Sequence, residues 1–190
     1  DPDGVRQVQR FAGTGHEALR DGPRARAHLA QPSGIVICND GKIAFTDSET
    51  SAIRQLDLRP DAFGDETVRT LIGDGLFTFG DVDGDASTAR LQHPLGIAYD
   101  ADSGIIYVAD TYNNRVKQLD PVSGTVTTWL GSSEPALRDG VATDAAFFEP
   151  NGLHISDGAL YIADTNNHAI RRVNLQTGCV TTITLSSLRA

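Results

Sequence analysis

An internal repeat that occurs three times constrains this chain more than any other feature of its sequence. In each copy an Asp-Gly pair is followed by a Pro that stands eleven residues after the Asp, and an apolar run begins soon after that Pro. The matched pairs are Asp21 and Pro32, Asp83 and Pro94, and Asp139 and Pro150. The three Pro residues are 62 and 56 residues apart. Such a period indicates an array of similar structural units.

Each copy predicts four short antiparallel strands. The first follows the Pro and ends near Cys38, Tyr99 or Ile155, and a polar turn then leads to the second. The predicted second strands are 42–46, 105–109 and 159–163, each closed by an aligned Asp: Asp47, Asp110 and Asp164. Seven residues later a base marks the third strand: Arg54, Lys117 and Arg171. The predicted fourth strands are 67–72, 125–130 and 179–183.

Four-stranded units with an apolar period near two are typical of β-propeller blades rather than helical solenoids. The predicted fold is therefore all-β, a β-propeller segment of about three four-stranded antiparallel blades plus one strand of a preceding blade. We divide the chain into the last strand of that preceding blade, blade 1, blade 2 and blade 3, at residues 1–15, 16–75, 76–133 and 134–190. The strand assigned to the preceding blade is 5–12.

The residues that follow the aligned Pro and Asp carry a family resemblance. PLGIAY at 94–99, IYVADTYNNRVK at 106–117 and LYIADTNNHAIR at 160–171 resemble NHL repeats. The first copy departs from this pattern, because 47–52 read DSETSA and lack both Asn residues. The resemblance implies a propeller that is commonly six-bladed, so the chain is expected to be half of one and a fragment of a larger protein. Residues 76–99 resemble more narrowly NHL proteins with a thioredoxin-like domain ahead of the propeller, which implies such a parent.

Half a propeller leaves two terminal blade faces without neighbours. Repeat units of this kind are stable only when stacked, and large exposed apolar patches signal a missing partner. We therefore expect the remaining half of the parent propeller, or a second copy in a homodimer that completes a ring, to cover those faces.

Composition excludes some partners and indicates a compartment. The net charge of -9 opposes nucleic acid as the main ligand, and no apolar run approaches the ~20 residues that span a bilayer. Cys38 and Cys179 lie in unlike places and form no Cys-x-x-Cys pair. Two unpaired cysteines favour a cytoplasmic location. The richness in Arg, Ala, Gly and Asp predicts a bacterial source.

No catalytic residue, metal site or cofactor is predicted. The Asp-rich run 81–85 resembles part of a calcium loop but lacks a closing Glu, and the five His residues share no metal spacing. The aligned strand-end Asp residues recur in every copy, which favours a structural role in turns, with the aligned bases pairing with acids across the blade. The alternative is a metal-dependent propeller lactonase or lyase whose site is completed by missing blades.

Strand parity predicts where a protein partner binds. In a four-stranded blade the turn after the second strand and the connector to the next blade lie at the same end, and here that end carries the long loops. Phe77 and Phe79 are its candidate aromatic anchors, unless they pack under the connector and close the gap between blades. The full set of binding-face candidates is Phe77, Phe79, Asp81, Asp83, Tyr112, Asn113, Asn114, Asn166, Asn167 and His168. The function predicted is that of a non-enzymatic protein-interaction scaffold within a larger protein.

Overall fold

Three antiparallel sheets follow one another along the chain in the computed structural model, which describes residues 10–61 and 63–184. Blade 1 contains β1 to β5 in the order β1-β5-β4-β3-β2: Gly22–Pro23, Pro32–Ile37, Ile43–Asp47, Ala52–Asp57 and Thr67–Ile72. Blade 2 contains β6 to β9 in sequential order: Ile97–Tyr99, Ile106–Asp110, Arg115–Asp120 and Thr125–Leu130. Blade 3 contains β10 to β14 in the order β10-β14-β13-β12-β11: Gly140–Val141, Pro150–Ser156, Ala159–Asp164, Ala169–Asn174 and Cys179–Thr182.

The described helices are four single turns of 3₁₀ helix: Ser48–Thr50, Thr111–Asn113, Ala142–Asp144 and Thr165–Asn167. Three of them begin directly after an aligned Asp that ends the second strand of its blade. None of the helices in the described part of the chain has the length and hydropathy that crossing a membrane requires.

The predicted all-β propeller architecture is confirmed. Antiparallel strand pairing places alternate side chains on opposite faces of each blade, so Ile106 and Val108 share the face that we call the front, while Tyr107 lies on the back. The four long strands of each blade start and end within a few residues of the predicted bounds. Of the strand predicted at 5–12, residues 5–9 lie outside the described residues, and residues 10–12 are not in a strand.

The repeated Asp-Gly has a structural role that the strand pattern did not predict. In blades 1 and 3 the Gly begins a fifth, two-residue strand that pairs with the outer edge of the fourth, through Gly22 with Val68 and Gly140 with Val180. In blade 2 the same pairing is reduced to an isolated bridge between Gly84 and Val126. A segment of two residues is too short to show a hydrophobic period.

The core lies between blades. Where the back of blade 1 meets the front of blade 2, a contact that we call the first seam, a buried cluster includes Ile53, Ile72, Val108 and Leu119. The second seam, between blades 2 and 3, buries Val116, Leu130, Phe147, Leu160 and Ile162. Hydroxyl groups reinforce both seams, because Ser48 donates to the carbonyl of Pro94 and Thr111 to that of Pro150, at 2.8 and 2.9 Å. Adjacent blades therefore form one packed unit.

Candidate recognition site at the first seam

A buried arginine organises the loop end of blades 1 and 3. In blade 1, Arg54 is fully buried and donates from Nη1 to Oδ2 of Asp47 at 2.8 Å and from Nη2 to Oδ1 of Asp21 at 2.9 Å. In blade 3, Arg171 donates to Asp164 at 2.6 Å and to Asp139 at 2.9 Å. One guanidinium thus joins the end of the second strand to the repeated Asp-Gly of the connector, which confirms the predicted ion pairs across the blade.

Blade 2 has a different ion network. Lys117 donates to Oδ1 of Asp81 at 2.5 Å and to Oδ1 of Asp83 at 2.8 Å, and both acids belong to the connector. The buried carboxyl of Asp110 accepts its hydrogen bonds from the amide of Asn113 and from a backbone N–H. Burial therefore raises the pKa of Asp110 to about 7, despite those hydrogen bonds and the nearby charge of Lys117.

The aligned Asp residues also fix the end of each connector. Their second oxygen accepts the N–H of the residue two places before the aligned Pro, and that same residue accepts an N–H from the 3₁₀ turn. In blade 2, Gln92 donates to Asp110 at 2.6 Å and its carbonyl accepts the N–H of Tyr112 at 3.2 Å. The corresponding bonds run from Ala30 to Asp47 at 2.7 Å and from Phe148 to Asp164 at 2.8 Å. This two-bond lock holds the residue two places before the Pro against the turn.

A further hydrogen bond crosses each seam. The residue that ends the 3₁₀ turn is left-handed in every blade, with φ of 49° at Ser51, 55° at Asn114 and 53° at His168. Ser51 Oγ accepts the N–H of His93 at 3.1 Å, and Asn114 Oδ1 accepts the N–H of Glu149 at 2.8 Å. Each turn of one blade thereby holds the connector of the next, in what we call the seam latch.

At the first seam these constraints bring aromatic side chains around an open pocket of about 290 Å³. Blade 1 and blade 2 both supply its lining: Glu49, Ser51, Phe77, Phe79, Gln92, His93 and Tyr112. His93 and Tyr112 stack with ring centroids 4.5 Å apart and an interplanar angle of 15°. Phe77 is 87% exposed and Phe79 is 56% exposed, so neither packs under its connector.

Phe77 occupies a backbone position that the fold keeps left-handed. The three residues that stand six places before the repeated Asp are Gly15, Phe77 and Ser133, and their φ angles are 89°, 69° and 72°. Glycine adopts this conformation freely, whereas a bulky side chain pays a steric cost there. Blade 2 therefore places an exposed aromatic side chain where the backbone favours a small residue.

The other aromatic positions show the same contrast between repeats. Phe79 corresponds to Glu17 and Pro135, Tyr112 to Glu49 and Asn166, and His93 to Gln31 and Glu149. The second seam carries Ser133, Pro135, Glu149 and Asn166 at the four positions that are aromatic in the first. Blade 3 forms the same backbone without these rings, so the aromatic cluster is not a requirement of the fold.

The structure brings three of the predicted binding-face residues into this pocket: Phe77, Phe79 and Tyr112. Asp81 and Asp83 lie on the same connector but bind Lys117, and Asn113 and Asn167 donate to the aligned Asp residues and to connector carbonyls. Asn114 forms the seam latch, whereas Asn166 and His168 are exposed on the turn of blade 3.

Sequence reasoning missed the pocket residues that blade 1 contributes, Glu49 and Ser51, as well as Gln92 and His93 of blade 2. The sequence predicts no role for His93, because the five His residues share no metal spacing. A signal for it existed, because comparison of the three repeats shows an aromatic residue at a slot that holds Gln31 and Glu149 elsewhere.

The described residues offer no metal centre. Within 10–61 and 63–184, no three His, Cys, Asp or Glu side chains converge as a metal ion would require. Asp85 of the Asp-rich run instead accepts the N–H groups of Ser87 and Thr88 at 2.9 and 3.1 Å. Cys38 and Cys179 are both free thiols, and burial raises the pKa of Cys38, which makes its thiolate less accessible.

Antiparallel four-stranded blades that share their cores define a β-propeller segment, and the comparisons with known proteins agree. Residues 91–119 match the family model described as the NHL repeat. The chain is 40% identical over 183 residues to NHL repeat-containing protein 2 of Bos taurus, which covers 90% of this chain and 24% of that protein. It is 41% identical over 184 residues to Protein SUPPRESSOR OF QUENCHING 1, chloroplastic, of Arabidopsis thaliana, covering 93% of this chain and 17% of that protein. The chain therefore carries an NHL repeat and is similar, over 90% of its length, to a segment of NHL repeat-containing protein 2.

A solved structure supports the fold alone. An auxiliary nutrient binding protein from Bacteroides thetaiotaomicron superposes with a TM-score of 0.63 at 21% identity, covering 78% of this chain and 36% of that one. The chain spans about a quarter or less of the length of the two curated relatives.

Proposed function

We propose that this chain is a non-enzymatic propeller scaffold that binds a protein partner through the pocket at the first seam. The observation that carries the proposal is the difference between repeats: exposed rings line the first seam at positions where the second seam has small, polar or charged residues. Since the fold forms without those rings, their presence is best explained by a contact outside the chain.

The exposure of these rings supports binding energetically. Phe77 is 87% exposed, Phe79 56% and Tyr112 51%, so a partner that covers them removes a large apolar area from water. Burying one such side chain fully is worth about 1.5–3 kcal/mol. Aromatic side chains in well-packed pockets are typical hot spots of protein interfaces, and rigid loops on a scaffold usually carry recognition.

A second surface concerns assembly rather than recognition. The front of blade 1, which has no preceding blade in the described residues, carries an open apolar depression of about 430 Å³ whose lining includes Phe11, Ile35 and Phe45. Ile35 is 67% exposed and Phe11 51%. We propose that the remaining blades of a parent protein cover this face, or a second copy when the chain is alone.

Several finer expectations remain predictions: a thioredoxin-like parent, a bacterial source and a cytoplasmic location. The lactonase or lyase alternative requires metal ligands from blades beyond those described, and elemental analysis of the purified parent protein tests it. Stoichiometric calcium or zinc would favour that alternative over the scaffold.

Affinity capture from an extract of the source organism tests the interaction role. The parent protein is compared with a variant in which Phe77→Ser and Phe79→Ala remove the exposed rings. The matched control is Phe63→Ala. Phe63 is 91% exposed but lies outside the pocket lining, in the insertion between β4 and β5 of blade 1. We expect a protein that binds the parent and the control but not the double variant. Retention of every captured protein by a folded double variant would overturn the proposal.

A further inference from the structure

Building on the interaction role proposed above, we infer that the pocket at the first seam takes a lysine or arginine side chain of the partner. Its lining includes four aromatic rings, its rim carries a carboxylate that pairs with no cation of the described residues, and its volume suits one side chain. The alternative occupants are an acidic side chain and a purely apolar one. A basic, an acidic and an apolar side chain each require a different lining of the pocket.

The aromatic lining favours a cation. The negatively charged face of an aromatic ring attracts an ammonium or guanidinium group within about 6 Å of its centre, most strongly where several rings surround the cation. His93 and Tyr112 stack with their ring faces together, and Phe77 and Phe79 line the same depression. At about 290 Å³, the pocket lies at the lower limit of the ~300–1,000 Å³ of small-molecule sites, which indicates a single side chain as occupant.

The charge at the rim favours the same occupant. Glu49 is exposed in the lining, and no Lys, Arg or His of the described residues pairs with it. The cations of the adjacent blade 2 connector network are occupied, since Arg115 and Lys117 both pair with Asp81. With a net charge of -9, the whole chain attracts basic segments and repels acidic ones.

The backbone at Phe77 gives independent support. A left-handed conformation at a bulky residue is strained, and strain of this kind is concentrated at ligand-binding positions. The equivalent Gly15 and Ser133 show that a small residue satisfies the same backbone conformation. The ring of Phe77 is thus retained at a conformational cost although it is 87% exposed, as a wall of the pocket would be.

Titration followed by nuclear magnetic resonance tests the ligand class directly. The probes are the N-acetyl, N-methylamide derivatives of lysine, arginine, norleucine and glutamate, of which norleucine matches the aliphatic length of lysine without its charge. We expect the lysine and arginine probes to shift the ring resonances of His93 and Tyr112 with an affinity roughly 3- to 30-fold above that of norleucine, as the strength of cation–π contacts implies.

A charge variant separates electrostatics from apolar packing. Glu49→Gln keeps the shape of the rim and should weaken lysine binding about threefold to tenfold while norleucine binding stays unchanged. The matched control is Glu134→Gln, which removes another exposed carboxylate outside the pocket lining. Equal affinity for lysine and norleucine, preference for glutamate, or shifts elsewhere than at the pocket would overturn the inference. If the cationic probes fail while loss of Phe77 and Phe79 still abolishes partner capture, the interaction role stands and this ligand class does not.

Discussion

Lys117 Nζ lies 2.8 Å from Oδ1 of Asp83, so the central blade pairs its buried cation with the connector rather than with the Asp at the end of its second strand. The arginines at the same position in blades 1 and 3 reach both groups. The lysine at this position occurs together with a second difference between the repeats. Asp81 stands where the flanking repeats have Leu19 and Leu137. A single amine lacks the fork of a guanidinium, and Asp81 provides it with a second connector acid.

The first prediction concerns the pH dependence of stability. The pKa of Asp110 is raised from 3.8 to about 7, so the folded chain binds this proton more tightly than the unfolded chain does. The contribution of Asp110 to the free energy of unfolding is therefore greatest below pH 4 and falls as the pH rises toward 7. Between about pH 5 and pH 8 the loss is roughly 2–3 kcal/mol.

Urea unfolding of the wild type and of Asp110→Asn at pH 5 and at pH 8 measures this loss of free energy of unfolding, because the variant removes the titrating group. The control is Asp57→Asn, since hydrogen bonds from Arg59 lower the pKa of Asp57 to about 2. The stabilising effect of the ionised Asp57 carboxylate should be present above pH 4 and disappear in acid. A difference between wild type and Asp110→Asn that does not change from pH 5 to pH 8 would contradict the assignment.

The second prediction exchanges the buried cations. Arg171→Lys in blade 3 should lower the free energy of unfolding by about 2–4 kcal/mol, because one amine cannot serve both Asp139 and Asp164 and a buried carboxylate loses its partner. Chemical denaturation measures the effect. The exposed ion pair of Arg59 with Asp57 is the control, and Arg59→Lys should leave the free energy of unfolding nearly unchanged. Equal costs for the two substitutions would show that the buried fork is unimportant.

The third prediction separates packing from binding at Phe77. Phe77→Gly relieves the left-handed strain but loosens the unfolded chain, so the free energy of unfolding should change by less than about 1 kcal/mol. Partner affinity should fall at least tenfold. Phe77→Ala, which removes the ring but keeps the strain, should melt below Phe77→Gly. Calorimetry and a binding titration measure both quantities, and a stability loss above about 2 kcal/mol for Phe77→Gly would assign the ring to the core.

The fourth prediction concerns the seam latch. Asn114→Gly keeps the left-handed backbone but removes the acceptor for the N–H of Glu149, which should cost about 1–3 kcal/mol. Amide hydrogen exchange at Glu149 should accelerate accordingly. His168→Gly makes the equivalent change on blade 3, where no following blade lies in the described residues, and should leave stability within about 0.5 kcal/mol. Similar losses for both variants would argue against a role of Asn114 across the seam.

The fifth prediction concerns the uncovered front of blade 1. For the isolated chain of 20.3 kDa, light scattering after size exclusion should give about 41 kDa, twice that mass, because a second copy covers the apolar face. Ile35→Glu introduces a charge on that face and should shift the mass toward 20.3 kDa. A wild-type chain that stays monomeric at high concentration and melts sharply would show that the face needs no cover.

The repeat in the sequence was sufficient to predict the blades, because each Asp, Pro and base recurs at a fixed spacing and the strands between them alternate regularly. The pocket required the structure. Glu49 and Phe77 are 28 residues apart and belong to different blades, so no local pattern brings them together. Asn113 and Asn114, which the sequence predicts as binding-face candidates, have side chains that hydrogen-bond to Asp110 and to the backbone at the second seam. Loop residues that hold neighbouring blades resemble recognition residues in sequence.

The placement of the pocket has a mechanical consequence. Since Glu49 and Ser51 come from one blade and Phe77, His93 and Tyr112 from the next, any occupant contacts both repeats at once. Its binding free energy then adds to the cohesion of the two blades, and a force or mutation that opens the first seam must also release the occupant. An occupied pocket would therefore stabilise the contact between the two blades, and slower amide hydrogen exchange at the first seam would show this stabilisation.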